Sequence, residues 1–371
     1  MRRIVKYIHE LPGWPQLNWN EKEFSYLLSE VRHQQGRILG KMEALGFNLQ
    51  AEATLHSLTV EVVKSGEIEG EVLNPDQVRS SIARKLGLKI AGLIPAERHV
   101  DGVVEMMLDA TQHYTEPLSA KRLFSWHAAM FPAGTSGMHR IVTGKWRNNS
   151  KDDPMQVISG AMGKEKVHFQ APDSDILKDE MKKFFEWFNT QNAIDPVLKA
   201  ALAHFWFVTI HPFDDGNGRI ARAIADLQLA RADKTPQRFY SMSAQIRKER
   251  NEYYDMLEQT QKGTLNITKW LKWFLHCLHR ALMATDETLA IVLHKAKFWE
   301  NHAKTVFNNR QVTLLNKLLD GFVGNLTSSK WAKIAKCSQD TALRDIQDLT
   351  ERKILKKESA GGRSTSYVLA D

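Results

Sequence analysis

Apolar residues recur at helical spacing along most of the chain, so the pattern predicts a mainly helical protein. A turn-rich aromatic opening, Leu11-Pro12-Gly13-Trp14-Pro15 and then Trp19, leads into a helix over about 21–45 that Gly46 ends. Further helices are predicted over about 51–64 and 75–86, and helices alternate with turns between about 100 and 187. Within that region two runs change to strand character, Gln156-Val157-Ile158-Ser159 and Lys166-Val167-His168-Phe169. They flank Gly160-Ala161-Met162-Gly163-Lys164-Glu165, which predicts a β-hairpin. Residues 197–209 are apolar on every side and predict a buried core helix. A loop, a helix to about 233 and two more helices to about 286 complete the main body. The last sixty residues predict helices over 311–319, 328–336 and 338–352, with Ser328 and Ser338 as N-caps. Two β-type runs, 354–357 and 366–369, flank Gly361-Gly362. The expected fold class is an all-α core with a small β-hairpin flap, plus a C-terminal winged helix-turn-helix.

Length and composition narrow the picture. A chain of 371 residues with 43% apolar and 25% charged residues has the make-up of an ordinary globular protein of two or three domains. The net charge is +8, and half of it lies beyond residue 309, where 11 Lys and Arg face 7 Asp and Glu. That segment suits an acidic or nucleic-acid partner, or a protein. Two cysteines, Cys277 and Cys337, cannot make a disulfide framework and point to a reducing compartment. Met1-Arg2-Arg3-Ile4 opens onto polar residues rather than a signal peptide, and the most apolar stretch, 197–210, contains Lys199 and His204 and is too short to span a membrane. The expectation is a cytoplasmic protein with no membrane partner.

The chemistry concentrates in His211-Pro212-Phe213-Asp214-Asp215-Gly216-Asn217-Gly218-Arg219-Ile220-Ala221-Arg222. The buried helix ends at about His211, which fixes an imidazole at the edge of the core. Phe213 can pin the loop to that core. Two glycines then open the next helix, where a bare backbone can approach a ligand and free N–H groups attract an anion. Arg219 and Arg222 share a face near that terminus, and their planar forks suit phosphate oxygens. A carboxylate beside an anion site, Asp215, serves better as a Mg²⁺ ligand than as an acid. Together these groups describe a phosphate-ester transfer site.

This segment resembles the signature of the Fic family, HxFx(D/E)GNGRxxR, and matches it at every fixed position. Average residue usage gives such a chance match a probability on the order of 10⁻⁸. The resemblance implies transfer of AMP from ATP to a Ser, Thr or Tyr hydroxyl of a target protein. His211 would take the proton of the acceptor hydroxyl, and Asp215 would hold Mg²⁺. ATP would lie along Gly216, Asn217, Gly218, Arg219, Ile220, Ala221 and Arg222, with Arg219 on the leaving pyrophosphate and Arg222 on the γ-phosphate. The resemblance extends to the 157–169 hairpin as the flap on which the protein substrate docks, with Val157 and Ile158 beside the nucleotide. Asn251-Glu252-Tyr253-Tyr254 resembles the stretch whose first tyrosine meets the base, and Gln261 falls where an amide meets adenine.

Upstream, Ser65-Gly66-Glu67-Ile68-Glu69-Gly70 resembles the family's inhibitory-helix signature, (S/T)xxxE(G/N). The resemblance implies that Glu69, with Ser65, pairs with Arg222 and blocks productive ATP binding. Residues 7–88, including Gly70-Glu71-Val72-Leu73-Asn74, resemble the region that accompanies Fic domains in a bacterial subgroup. The implied organisation is an N-terminal helical region over 1–95 with the inhibitory helix at about 51–70, a catalytic core over 96–290, and a linker helix with a winged helix over 291–371. A homodimer is expected. Two other readings compete: a Fic-fold enzyme that removes AMP, and a DNA-binding regulator whose 338–352 helix carries Gln339, Thr341, Arg344 and Gln347, against Asp340, Asp345, Asp348 and Glu351. His276 and His279 stand three apart without a second ligand pair, which argues against zinc. No P-loop, zincin or serine-hydrolase motif is present. Trp14, Trp19, Trp126, Trp146 and Trp187 are expected in the core.

Overall fold

The segment that is apolar on every side sits at the centre. In the computed structural model, which describes residues 6–88, 90, 92–160, 163, 165–191, 193–322, 324–358 and 365–370, all side chains from Val197 to Ile210 are buried. The N-terminal elements are α1 (Ser25–Glu43), α2 (Phe47–Ile68), α3 (Pro75–Lys85), α4 (Arg98–Gln112) and α5 (Ala120–Met130). Two small strand pairs follow, β1 (Thr135–Ser136) with β2 (His139–Arg140), and β3 (Gln156–Ser159) with β4 (Lys166–Gln170). Then come α6 (Leu177–Asn189), α7 (Pro196–Ile210), α8 (Asn217–Asp233), α9 (Met242–Lys248), α10 (Arg250–Gln261), α11 (Thr268–Met283) and α12 (Thr285–Asn301). The C-terminal part holds α13 (Asn309–Leu319), α14 (Ser328–Ala335), α15 (Gln339–Glu351), β5 (Leu355–Lys357) and β6 (Tyr367–Leu369).

The core helix α7 starts where the sequence says it must. Asp195 accepts from the Val197 N–H, and Pro196 supplies a pre-set first turn. It packs along α8, and the other helices wrap this pair into one large apolar cluster. Trp126 is buried there, while Trp14, Trp19, Trp146 and Trp187 pack half-buried against it. The C-terminal elements have their own core around Leu314, Trp331, Ile346 and Leu355, with Phe298 and Trp299 of α12 against it. A buried ammonium joins the two parts: Lys295 Nζ donates to Glu52 of α2 at 2.9 Å and to Asp320 at 2.8 Å.

Several expectations shift. The second helix starts at 47 rather than 51 and runs through the Ser65 motif to Ile68, and Gly46 serves as its N-cap. Three helices, not two, lie between 233 and 284, because Glu249 (φ −108°, ψ 28°) breaks α9 from α10. Thr327 rather than Ser328 caps α14, its side chain accepting from the Lys330 N–H, whereas Ser338 caps α15 as expected. The β1–β2 pair was not expected; its strands are two residues long, too short to show a period. Ala161, Met162 and Lys164 of the hairpin turn, Met1 to Ile4, and Gly361-Gly362 lie outside the described residues. No helix among the described residues is long and apolar enough to cross a membrane.

One glycine sets how closely α4 and α5 approach. A Cβ on Gly102 would fall 1.8 Å from the Ala129 carbonyl oxygen. Gly102→Ala should therefore force the helices apart and cost about 1–3 kcal/mol, as overpacking does. Denaturant unfolding of the variant measures this, and an unchanged midpoint would mean the contact yields freely.

Candidate active site

The core helix α7 ends in a backbone conformation that few side chains adopt. His211 has φ 51° and ψ 58°, and its N–H closes onto the Phe207 carbonyl at 3.0 Å. Its Nδ1 lies 3.1 Å from the Val208 carbonyl. A carbonyl only accepts, so Nδ1 carries the proton and Nε2 keeps its lone pair. Burial pushes the His211 pKa down to about 4, against the smaller upward pull of the Val208 bond. The imidazole is thus a neutral base at pH 7.

Arg147 holds this unusual turn. It is buried, and its guanidinium donates to the carbonyls of His211 at 2.7 Å and Pro172 at 2.5 Å, while its own N–H donates to Pro212 O at 3.0 Å. The loop behind it is closed by Asn217, which accepts from the Phe213 N–H at 3.0 Å and donates back to the Phe213 carbonyl at 2.7 Å. Phe213 is fully buried and stacks on His127 with ring centroids 4.3 Å apart. His127 accepts from the Gly144 N–H at 3.0 Å and donates to the Asp215 carbonyl at 3.2 Å. Asp215 turns its carboxylate to the Gly216 N–H at 2.5 Å and to the Ser136 hydroxyl. Every residue of the loop is pinned, so the amides opening α8 have fixed directions.

Gly218, in the first turn of α8, faces a carboxylate. Gly216, with φ 80°, starts α8 without a side-chain cap, leaving its first N–H groups without helical partners. A Cβ on Gly218 would lie 2.1 Å from Glu69 Oε1, so the Glu69 side chain rests directly on that glycine. Arg222 donates from Nη1 to Glu69 at 2.8 Å, from Nε to the Ser65 hydroxyl at 2.9 Å and from Nη2 to the Ser65 carbonyl at 2.9 Å. Burial opposes the charge on Arg222, but the adjacent Glu69 carboxylate outweighs it and raises the pKa. Glu69 also accepts from the Tyr254 hydroxyl at 3.3 Å, and Arg250 donates to the Ile68 carbonyl at 2.6 Å.

The end of α2 explains how Glu69 is aimed. The Gly70 N–H bonds Glu67 O at 3.2 Å and the Glu71 N–H bonds Gly66 O at 3.0 Å, with Gly70 at φ 84°. This is the Schellman arrangement, which needs a residue tolerant of the left-handed region. It throws a second carboxylate inward: Arg219 Nη1 donates to Glu71 at 2.6 Å. The sequence reading had no role for Glu71. A second acid two residues after Glu69, against two arginines in the site, was the available signal. Arg147 had none, since it lies in a stretch without periodicity, and His127 falls on the buried face of α5, where helical spacing marks a core position and no more.

A cavity of about 440 Å³ is lined by Glu69, Val157, Ile158, His211, Gly218, Tyr253 and Gln261, among others. A larger groove of about 980 Å³ takes Glu69, Glu71, Asp215 and Arg219 on its walls. The structure thus brings most of the expected site residues to two adjoining hollows that meet at Glu69. Ile220 and Ala221 do not reach them; their side chains are wholly buried in the core. Asn217, Arg222 and Ser65 stand buried behind the walls. Tyr253 is nearly closed off and hydrogen-bonds His204 at 2.9 Å, and Gln261 donates to Thr209 at 3.3 Å. Among the described residues no cluster of three metal-binding side chains occurs, His276 and His279 included.

With this geometry, residues 117–229 match the sequence model of the Fic/DOC family, and residues 7–88 match that of DUF4172, a domain of unknown function. The chain therefore carries a Fic/DOC domain. Over 114 residues it is 35% identical to "Protein adenylyltransferase Fic" of Aedes aegypti, which covers 30% of this chain and 21% of that protein. The chain thus spans about a fifth of the length of such curated relatives. A Fic family protein from Desulfovibrio desulfuricans G20 superposes with a TM-score of 0.51 at 21% identity, covering 93% of this chain and 95% of that one. A Fic domain containing signaling protein from Bacteroides thetaiotaomicron VPI-5482 gives a TM-score of 0.51 at 19% identity, covering 72% and 96%. These likenesses show the fold.

Two outcomes test the site. Resonances of the His211 ring should titrate near pH 4 instead of near 6.5; a midpoint in the ordinary range would mean the ring is solvated. Arg147→Met should cost about 1–3 kcal/mol in urea unfolding, because it strands buried carbonyls that the guanidinium satisfies. An unchanged midpoint would show that the turn at His211 holds itself.

Proposed function

We propose that this chain is a protein adenylyltransferase that moves AMP from ATP to a hydroxyl side chain of another protein, and that the end of α2 restrains it. The observation that carries the reading is the seat of Glu69. A carboxylate lies on the bare backbone of Gly218 and against the buried Arg222, in the cavity that also holds a neutral His211. A site that binds one anion between a helix N-terminus and a guanidinium is built for phosphate.

In this reading the acceptor hydroxyl approaches His211 Nε2, which takes its proton as the oxygen attacks the α-phosphorus. The bond to the β-phosphate breaks and pyrophosphate leaves, with Arg219 and the amides of Gly216 to Gly218 stabilising its charge. Arg222 takes the γ-phosphate once Glu69 withdraws. Tyr253 and Gln261 border the base, and the β3 edge with Val157 and Ile158 docks the target backbone as an added strand. Asn217 acts through the loop it closes, and Ile220 and Ala221 support α8 from the core. The donor set at Asp215 fits Mg²⁺: it is one carboxylate on an open groove beside an arginine, rather than an all-protein cage. Asp215 would hold that ion, which when bound shields the phosphate charge.

For the C-terminal part we propose a winged helix formed by α13 to α15 with β5 and β6. Asp345 is bound by Arg310 at 2.7 Å, and Asp348 accepts from Gln311 at 2.6 Å and pairs with Arg352 at 3.0 Å. These acids are paired with Arg310, Gln311 and Arg352, which removes part of the electrostatic objection to a DNA contact through Gln339, Arg344 and Gln347. Salt-dependent binding of duplex DNA by the full chain distinguishes that partner from a protein one.

Glu69→Gly should raise AMP transfer. A closed-state preference of about 3 kcal/mol corresponds to roughly hundredfold activation. Adding Glu71→Ala should raise it further by freeing Arg219, while Glu69→Gly with Arg222→Ala should stay weak. His211→Ala should abolish transfer to a separate target protein and keep ATP binding. Labelled ATP followed into protein reads all four, and unchanged labelling by Glu69→Gly would remove the restraint from this account.

A further inference from the structure

The flap carries a second histidine base on the wall of the same cavity. Ser159 ends β3, His168 lies in β4 and Glu258 lies on α10, so three elements meet. The strand register skips between Val157 and Ile158, which pair with Phe169 and Val167 and leave His168 as the extra residue of a bulge. Bulges re-aim a side chain. Ser159 pairs with Lys166, so His168 is its diagonal neighbour on the same face.

The contacts run in one direction. Ser159 Oγ lies 2.6 Å from His168 Nε2, and His168 Nδ1 lies 2.5 Å from Glu258 Oε2. The other Glu258 oxygen accepts from Lys262 at 2.5 Å. Burial works against the Glu258 charge, but hydrogen bonds from Lys262 and His168 outweigh it and hold the carboxyl below its ordinary range. A carboxylate only accepts, so Nδ1 carries the imidazole proton and Nε2 receives the Ser159 O–H. Nucleophile, base and orienting acid stand in the order that activates a hydroxyl. Ser159 is exposed, and all three line the 440 Å³ cavity with His211 and Gly218.

We propose that Ser159 is an AMP acceptor within the chain itself, served by His168 as its own base. The inference rests on the AMP-transfer reading above. Ser159 Oγ attacks the α-phosphorus of ATP, the Oγ–P bond forms, the bond to the β-phosphate breaks, and pyrophosphate leaves. The serine proton passes to His168 Nε2, and Glu258 stabilises the imidazolium. The product is a phosphodiester on the flap, at the edge where a target strand would dock, so each modified molecule would close its own docking edge.

The test uses the full-length Glu69→Gly chain with ATP and Mg²⁺, followed by digestion and mass spectrometry. AMP should appear on Ser159, vanish from that peptide in Ser159→Ala, persist in Ser159→Thr, and form about 10²-fold more slowly in His168→Gln. AMP on other side chains with Ser159 bare overturns the self-modification and leaves AMP transfer standing. Undiminished labelling of Ser159 in His168→Gln overturns the assigned base. No nucleotide on any peptide together with no pyrophosphate release overturns this inference and the AMP-transfer reading alike.

Discussion

A guanidinium buried as deeply as Arg222 cannot be left without an anion. Most of the site follows from that requirement. Ser65 supplies two neutral oxygens, which satisfy hydrogen bonds but not charge. The remaining partner has to be negative, and the space for it lies over Gly218, where no Cβ intervenes. A carboxylate from α2 fills it in this structure. A phosphate fills the same need in the proposed reaction, so restraint and substrate binding are two answers to one electrostatic demand.

The fold serves this by fixing both sides of the gap. On one side, α7 and α8 pack along each other, and their loop is held by Asn217, His127 and Arg147. On the other, α2 is secured along its length. Its far end carries Glu52, tied to Lys295 and Arg79, and its middle carries Glu61, which accepts from Ser241 and the Ser243 N–H. Its near end is fixed by the Schellman turn and by Arg250. Lys295 also reaches Asp320, so the C-terminal part and α2 share a buried cation.

Much of this was legible in the sequence, and the reasons are local. The all-apolar run of α7, the glycines before α8 and the Ser65 to Gly70 stretch each state their geometry within a few residues. The β-type runs at 156–159 and 166–169, flanking a glycine-containing turn, likewise give the hairpin. What stayed hidden depends on contacts across the fold. Arg147 acts on carbonyls from two distant segments, and its neighbours in sequence carry no period. Glu71 needed the helix end to be seen turning, because only the left-handed Gly70 brings it beside Arg219. The bulge that aims His168 comes from a skipped register, which no alternation pattern displays. The break between α9 and α10 sits in a polar run, where helical spacing alone reads as one continuous helix.

Under the proposed function, the contact between Glu69 and Gly218 also makes the α2 end a tethered competitor. Carboxylate and nucleotide would then claim one volume, and the apparent affinity for the nucleotide would fall by the factor that favours the seated helix end. Response would have a threshold in nucleotide concentration, with the stability of a helix terminus as its set-point. That set-point cannot be moved from position 218, since any side chain large enough to evict the carboxylate would also evict the phosphate. It can be moved only from the α2 side, where a looser turn, a lost lysine bridge or a shifted C-terminal part would each lower the concentration at which the nucleotide wins.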